Sequence, residues 1–165
     1  MKIHFLLVRA AVEALFDIFE NDKQADKIVE KVLKSNPKWG SRDRAFIAET
    51  VYDCVRWYRL YAHLIPPLKP AQSANPNVYW DIVGVYLTLK NETNIALDIF
   101  QHIDFQQLTE KKAAIKERKI LYAVPDWLDE MGENELGSEA WLRELDALNK
   151  PAPIILRANP LKIKV

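Results

Sequence analysis

Apolar residues recur at three- and four-residue spacing along nearly the whole chain, and that period belongs to helices that bury one face. Ile3, Leu7, Ala11, Ala14, Leu15 and Ile18 draw the first stripe, which Asn21 and Asp22 break. Ile28, Val29, Val32 and Leu33 mark a second helix. It is predicted to end at Ser35-Asn36-Pro37, because the residue before a proline is pushed out of the helical region. Ser41 is placed to cap a long third helix whose inward stripe is Ile47, Val51, Cys54, Val55, Tyr58, Tyr61 and Ala62. Ile65-Pro66-Pro67 stops it. Pro66, Pro67, Pro70 and Pro76 then make a surface loop. Tyr79, Ile82, Val83, Tyr86 and Leu87 mark a fourth helix, and shorter helical pieces are predicted from Ile95 to Phe100 and from Thr109 to Tyr122. Pro125 suits the first position of a further helix, with Asp126 in its first turn, and Ser138 caps a last one through Leu148.

After Asn149 the texture changes. Pro151-Ala152-Pro153 cannot continue a helix, and Ile154, Ile155, Leu156 and Ala158 read as a strand. A lone strand beside an all-helical domain is not a stable unit, so the strand is expected to open a second, truncated α+β domain. The expected fold is therefore all-α: a helical bundle over residues 1–124, then linker helices and one terminal strand over residues 125–165. At 165 residues the chain is long enough to bury a core. No apolar run approaches the roughly 20 residues that cross a bilayer, so no membrane partner is expected. Cys54 is the single cysteine and cannot form an internal disulfide, which favours a cytoplasmic location. It sits on the third helix's apolar stripe and reads as a core residue. His4, His63 and His102 have no metal-ligand spacing, so no metal is expected. None of the four glycines belongs to a phosphate-cradling loop.

The 23 basic and 23 acidic side chains cancel, which argues against a uniformly basic nucleic-acid wrapper. They are not evenly spread. Arg42, Arg44, Arg56 and Arg59 cluster in or near the third helix. Lys111, Lys112, Lys116, Arg118 and Lys119 face Glu117 alone. Lys150, Arg157, Lys162 and Lys164 make a basic tail, and the stretch from Asp126 to Asp146 between these is acidic.

Two stretches resemble a known family. Trp39-Gly40-Ser41-Arg42-Asp43-Arg44-Ala45-Phe46-Ile47, continuing to Val51-Tyr52 and Val55-Arg56-Trp57, resembles the core of the NusB-like helical domain that opens the Sun/Fmu family of RNA cytosine-C5 methyltransferases. Pro125-Asp126-Trp127-Leu128, Leu136-Gly137, Leu148-Asn149-Lys150-Pro151-Ala152-Pro153 and Leu156-Arg157-Ala158-Asn159, with Leu161-Lys162, is similar to the segment that joins that domain to the rest of those enzymes. Order and spacing agree, and the two motifs bracket almost the whole chain. Asp53 stands where the family often has glycine.

The resemblance implies an RNA-binding and positioning module of an S-adenosylmethionine-dependent ribosomal RNA methyltransferase. In the family a downstream domain carries a glycine-rich cofactor loop and a proline–cysteine nucleophile, neither of which occurs in these residues. The chain is thus expected to bind no cofactor, to be inactive alone, and to have ribosomal RNA and its own downstream catalytic domain as partners. The residues expected to meet RNA are Arg42, Arg44, Arg56 and Arg59, then Lys112, Lys116 and Lys119 on one side of a helix, and Arg157 on the strand. Asp43 is expected to be structural, favouring the helix N-terminal dipole or pairing with an arginine elsewhere. The tryptophans are assigned to packing, with Trp127 and Leu128 docking the linker helix onto the bundle. Two other functions compete: a free-standing NusB-type antitermination factor, which would not need the strand after Pro153, and a structural helical domain that binds protein.

Overall fold

A computed structural model describes residues 4–65, 78–90, 100, 103–150 and 152–153. The described residues form nine helices and no strand, so they are all-α as the periodicity predicts. The piece predicted from Ile95 to Phe100 lies outside the described residues up to position 99. The strand predicted at Ile154, Ile155, Leu156 and Ala158 lies outside them as well. The chain divides into two compact units, Met1–Pro125 and Asp126–Val165. Among the described residues no helix is long and apolar enough to cross a membrane.

The first unit is built on α1 (Phe5–Glu20), α3 (Ser41–Arg56) and α5 (Val78–Leu89), which pack against one another. Helix α1 buries Leu7, Val8, Ala11, Ala14, Leu15 and Ile18, and the small alanines let its neighbours approach closely. Helix α2 (Ala25–Ser35) lays Ile28 and Val29 against α1 and α3. Its ends follow the helix dipole, with Asp26 in the first turn and Lys34 in the last. Helix α5 is buried on every side from Asp81 to Leu87, and α1, α3, α4 and α6 surround it.

The third helix departs from its predicted course. Its N-cap is Gly40, one residue before Ser41, and the Gly40 N–H donates to Asp43 Oδ2 at 3.1 Å. Asp43 thus performs the N3 half of a capping box, as a residue serving the helix terminus should. The helix stops at Arg56 and restarts as α4 (Tyr58–Leu64) after the single residue Trp57. A straight continuation would turn Ala62 inward and Leu60 and Leu64 away from the stripe of Ile47, Val51 and Cys54. The break at Trp57 rotates the face, so that Leu60, Tyr61 and Leu64 are buried and Ala62 is exposed.

The helix predicted from Thr109 to Tyr122 is likewise two. Helix α6 (Phe105–Ala114) starts earlier, where Asp104 Oδ1 accepts from the Gln107 N–H at 2.8 Å. It ends at Ile115, whose backbone is extended, and one further turn, α7 (Arg118–Leu121), follows Glu117. On one straight helix Leu108 and Ile115 would share a face while Ile120 stood about 120° away. The interruption lets all three reach the core.

In the second unit, α8 (Asp126–Leu136) and α9 (Ser138–Leu148) pair as a hairpin around Gly137, whose φ of 75° is a left-handed conformation that suits glycine. Pro125 therefore precedes the first helical residue and Ser138 is the first residue of α9, each one position from its predicted role. Trp141 and Leu145 are the buried anchors of α9. The indole Nε1–H of Trp141 donates to Asp129 Oδ1 at 2.8 Å, and its ring lies on the backbone of Gly132. Trp127 is 64% exposed.

Two outcomes follow. A Cβ at position 132 would fall 2.3 Å from the Trp141 ring, so Gly132→Ala should destabilise the α8–α9 pair by about 1–3 kcal/mol, read as lost hydrogen-exchange protection in both helices. The second outcome concerns alkali. Burial raises the Cys54 thiol, with the charge of Asp53 adding to it, and burial also raises the phenols of Tyr58, Tyr61, Tyr79 and Tyr86. For Tyr79 the hydrogen bond it donates to Glu20 at 2.7 Å acts in the same direction. Each group holds its proton more tightly folded than unfolded, so its contribution is complete below the ordinary value and fades as pH rises through it. With ordinary values of 9.0 for the thiol and 10.0 for the phenols, melting temperature should be level from neutral pH to about pH 8.5 and fall steadily above about pH 10.

Candidate nucleic-acid interface

The helical period that turns Ile47, Val51 and Cys54 inward leaves Arg42, Ala45, Glu49, Tyr52 and Arg56 on the opposite, exposed stripe of α3. Arg42 stands in the first turn and Arg56 in the last. The Arg56 guanidinium lies over the Trp57 ring, 5.3 Å from its centre, a cation–π arrangement at the α3–α4 break. Arg59, one turn further on, is half-buried and donates from Nη1 to the Val124 carbonyl at 2.6 Å. It ties α4 to the last residues of the first unit.

Arg44 differs from its neighbours. The side chain is half-buried and reaches away from the exposed stripe toward the end of α2. Nε donates to the Trp39 carbonyl at 3.0 Å, Nη2 to Asn36 at 3.4 Å, and Nη1 to Leu33. The last carbonyls of a helix have no partner within it, and here one guanidinium answers for the end of α2 and the loop that follows. Arg44, expected beside Arg42 as a phosphate contact, is committed to the fold instead.

The lysine group is also rearranged. Lys112 lies on α6, Lys116 in the link and Lys119 on α7, so the three do not share one helix face as expected. Lys112 and Lys116 are exposed and Lys119 is half-buried. Their elements meet the arginine group through α4, which packs on α3, α6 and α7. Lys111 Nζ donates to the Leu64 carbonyl at 3.2 Å, closing the end of α4. A pocket of about 190 Å³ beside it is lined by His63, Lys111, Ala114 and Ile115. Arg56 and Arg59, at the α3–α4 break, and the lysines thus stand on or beside elements that pack on α4, whereas Arg42 and Arg44 stand at the far end of α3. Arg157 lies outside the described residues.

Two other charged positions serve packing. Asp53 pairs with Lys90 at 3.0 Å, joining α3 to the end of α5, and the Lys90 ammonium lies 5.2 Å from the centre of the Tyr86 ring. The hydrogen bond that Lys90 donates to Asp53 raises the ammonium's pKa above the usual lysine value. Cys54 is fully buried and its thiol is held protonated, so it lacks the thiolate that nucleophilic attack requires. Among the described residues no group of three or more His, Cys, Asp or Glu side chains could hold a metal ion.

Tyr52 carries a signal that the sequence pattern did not single out, and Trp57, assigned to packing, belongs to the same feature. Tyr52 is 46% exposed, an aromatic ring one helical turn before Arg56, while Trp57 is half-buried beneath that arginine. An aromatic at i and an arginine at i+4, outside the apolar stripe, is the pattern that points to them.

The chain is 26% identical to the ribosomal RNA small subunit methyltransferase B of Thermus thermophilus, over 90% of its own length and 39% of that protein. Most of this chain is similar to one part of that methyltransferase. It spans about two fifths of the relative's length. No family model and no solved structure matches the chain.

Removing the guanidinium that closes α2 should cost stability. Arg44→Met is expected to lower it by about 1.5–3 kcal/mol, the usual loss for charge-assisted hydrogen bonds, seen as a reduced urea midpoint with unchanged slope. Arg44→Lys should recover only part, because an ammonium cannot fork across three carbonyls.

Proposed function

We propose that this chain is an RNA-binding and positioning module of an S-adenosylmethionine-dependent ribosomal RNA cytosine-C5 methyltransferase, with the catalytic domain outside it. The observation that carries the reading is the alignment of 90% of the chain with a minor share, 39%, of an rRNA methyltransferase. A segment of that share can assist the chemistry without housing it.

In this reading the module contributes phosphate contacts and orientation. Arg42 and Arg56 stand at the two ends of the exposed α3 stripe, and Arg59, Lys112, Lys116 and Lys119 extend the positive surface around α4. Arg157 would add a contact from the basic tail. Phosphate contacts fix register and carry no sequence information, which leaves base choice to the downstream domain. The target base has to leave its stack before the chemistry, so a surface that grips the surrounding backbone has a clear use. The half-buried Arg59 would act chiefly by holding α4 and the end of the first unit in place.

Anisotropy titration of the chain with ribosomal RNA hairpins tests this. Binding should weaken steeply between 50 and 200 mM salt, with a log–log slope set by the number of phosphates neutralised. Arg42→Ala and Arg56→Ala should each lower the slope by about one. Glu49→Gln, which removes the acid between them, should tighten binding a few-fold. Absence of binding at low salt, or binding indifferent to salt and to these substitutions, would leave the protein-interaction reading.

A further inference from the structure

The exposed stripe of α3 has an uneven charge sequence. Arg42 stands at one end and Arg56 at the other, separated by fourteen residues, or about 21 Å along the helix. Glu49 interrupts them. A continuous run of phosphates along this stripe would place negative charge against Glu49, so the stripe is poorly suited to tracking an unbroken backbone. Next to Glu49 on the Arg56 side is Tyr52, whose ring is 46% exposed although the rest of the helix has a full core face to bury such a group. One turn on, the Arg56 guanidinium lies over Trp57. Trp57 is fixed in place: its backbone N–H donates to the carbonyls of Asp53 and Val55, and its carbonyl accepts from Tyr61. The backbone that carries the indole is thereby held in place.

We propose that Tyr52 and the Arg56–Trp57 pair form a stacking platform for one unpaired RNA base, with Arg42 as a phosphate contact farther along the same stripe. Phenol rings and guanidinium planes both accept a nucleobase face, and such stacking tolerates any base because every base presents a π-surface. The ligand class is accordingly an RNA helix carrying a bulged or looped-out nucleotide, in preference to a fully paired one. Glu49 then acts as a selector: it faces the position where a paired strand would present phosphate and where a splayed base presents none. This inference rests on the RNA-positioning reading and narrows it to a kind of RNA.

The test uses the whole chain and two RNA hairpins of equal length and charge, one fully paired and one with a single unpaired 2-aminopurine. The expected result is about tenfold tighter binding of the bulged hairpin, with the 2-aminopurine emission quenched on binding. Tyr52→Ala should abolish the preference and the quenching while leaving binding of the paired hairpin and its salt slope unchanged. Tyr52→Phe should keep both. Arg42→Ala should weaken both hairpins alike. Equal affinity for the two hairpins, or unquenched 2-aminopurine in the bound wild-type complex, overturns the platform while the RNA-positioning reading stands. A preference that survives Tyr52→Ala overturns it too. Failure to bind either hairpin removes both readings.

Discussion

A helix with no polar face has to be enclosed, and α5 is such a helix. From Asp81 to Leu87 its residues are buried without interruption, so it is stable only where other helices cover it on all sides. Helices α1, α3, α4 and α6 supply that cover, and each is thereby held with one face inward. What remains for function is what those helices present outward. The exposed stripe of α3 with Arg42 and Arg56 exists because Ile47, Val51 and Cys54 are taken by the core. The same enclosure holds the Cys54 thiol protonated, and the Asp53–Lys90 pair closes the end of α5 against α3.

Covering one helix with four others requires short elements that change direction, and the two interruptions of the first unit do this. At Trp57 a single residue turns the buried set from the α3 stripe to Leu60, Tyr61 and Leu64. At Ile115–Glu117 a short extended link brings Ile115 and Ile120 to the same core. Both interruptions also redistribute charge. The first puts Arg56 on an indole and turns Arg59 toward Val124, and the second separates Lys112 from Lys119. Packing of apolar residues thus decides where the cations stand, and no rule of charge spacing contains that information.

The helices themselves were legible where one apolar period ran unbroken. The stripe through Leu7, Ala11, Leu15 and Ile18 and the run Tyr79 to Leu87 became α1 and α5 with little change. The reading failed where a period continued on paper through a break in space. Val55, Tyr58 and Ala62 extend the α3 stripe numerically, and nothing local to Trp57 marks a stop as proline or glycine would. Lys112, Lys116 and Lys119 share a face only on a helix that does not exist. Arg44 escaped for a different reason. Its partners are the carbonyls of Leu33, Asn36 and Trp39, and backbone groups leave no trace in a side-chain pattern. Arg42 and Arg44 look equivalent in the motif, yet a 200° difference in helical direction sends one to solvent and the other to the end of α2.

That difference bears on how such a module divides its labour. A motif with two arginines two residues apart cannot use both on one ligand surface when it is helical, so one is released to organise the scaffold. Here Arg44 fixes the loop before α3, and that loop includes Gly40, whose N–H is answered by Asp43. The start of α3 is consequently closed by its own side chains, and Arg42 projects from a turn that is already satisfied. At the other end Trp57 plays the corresponding part for Arg56. On the proposed reading both exposed cations would stand on locally completed backbone, which would lower the entropy lost when a charged partner binds and make geometry, more than charge count, the source of selectivity. On the proposed reading a chain with equal numbers of acids and bases would grip a polyanion on those terms, because the 23 basic side chains do not act as a pool and, of the acids near that stripe, Asp53 is already paired with Lys90.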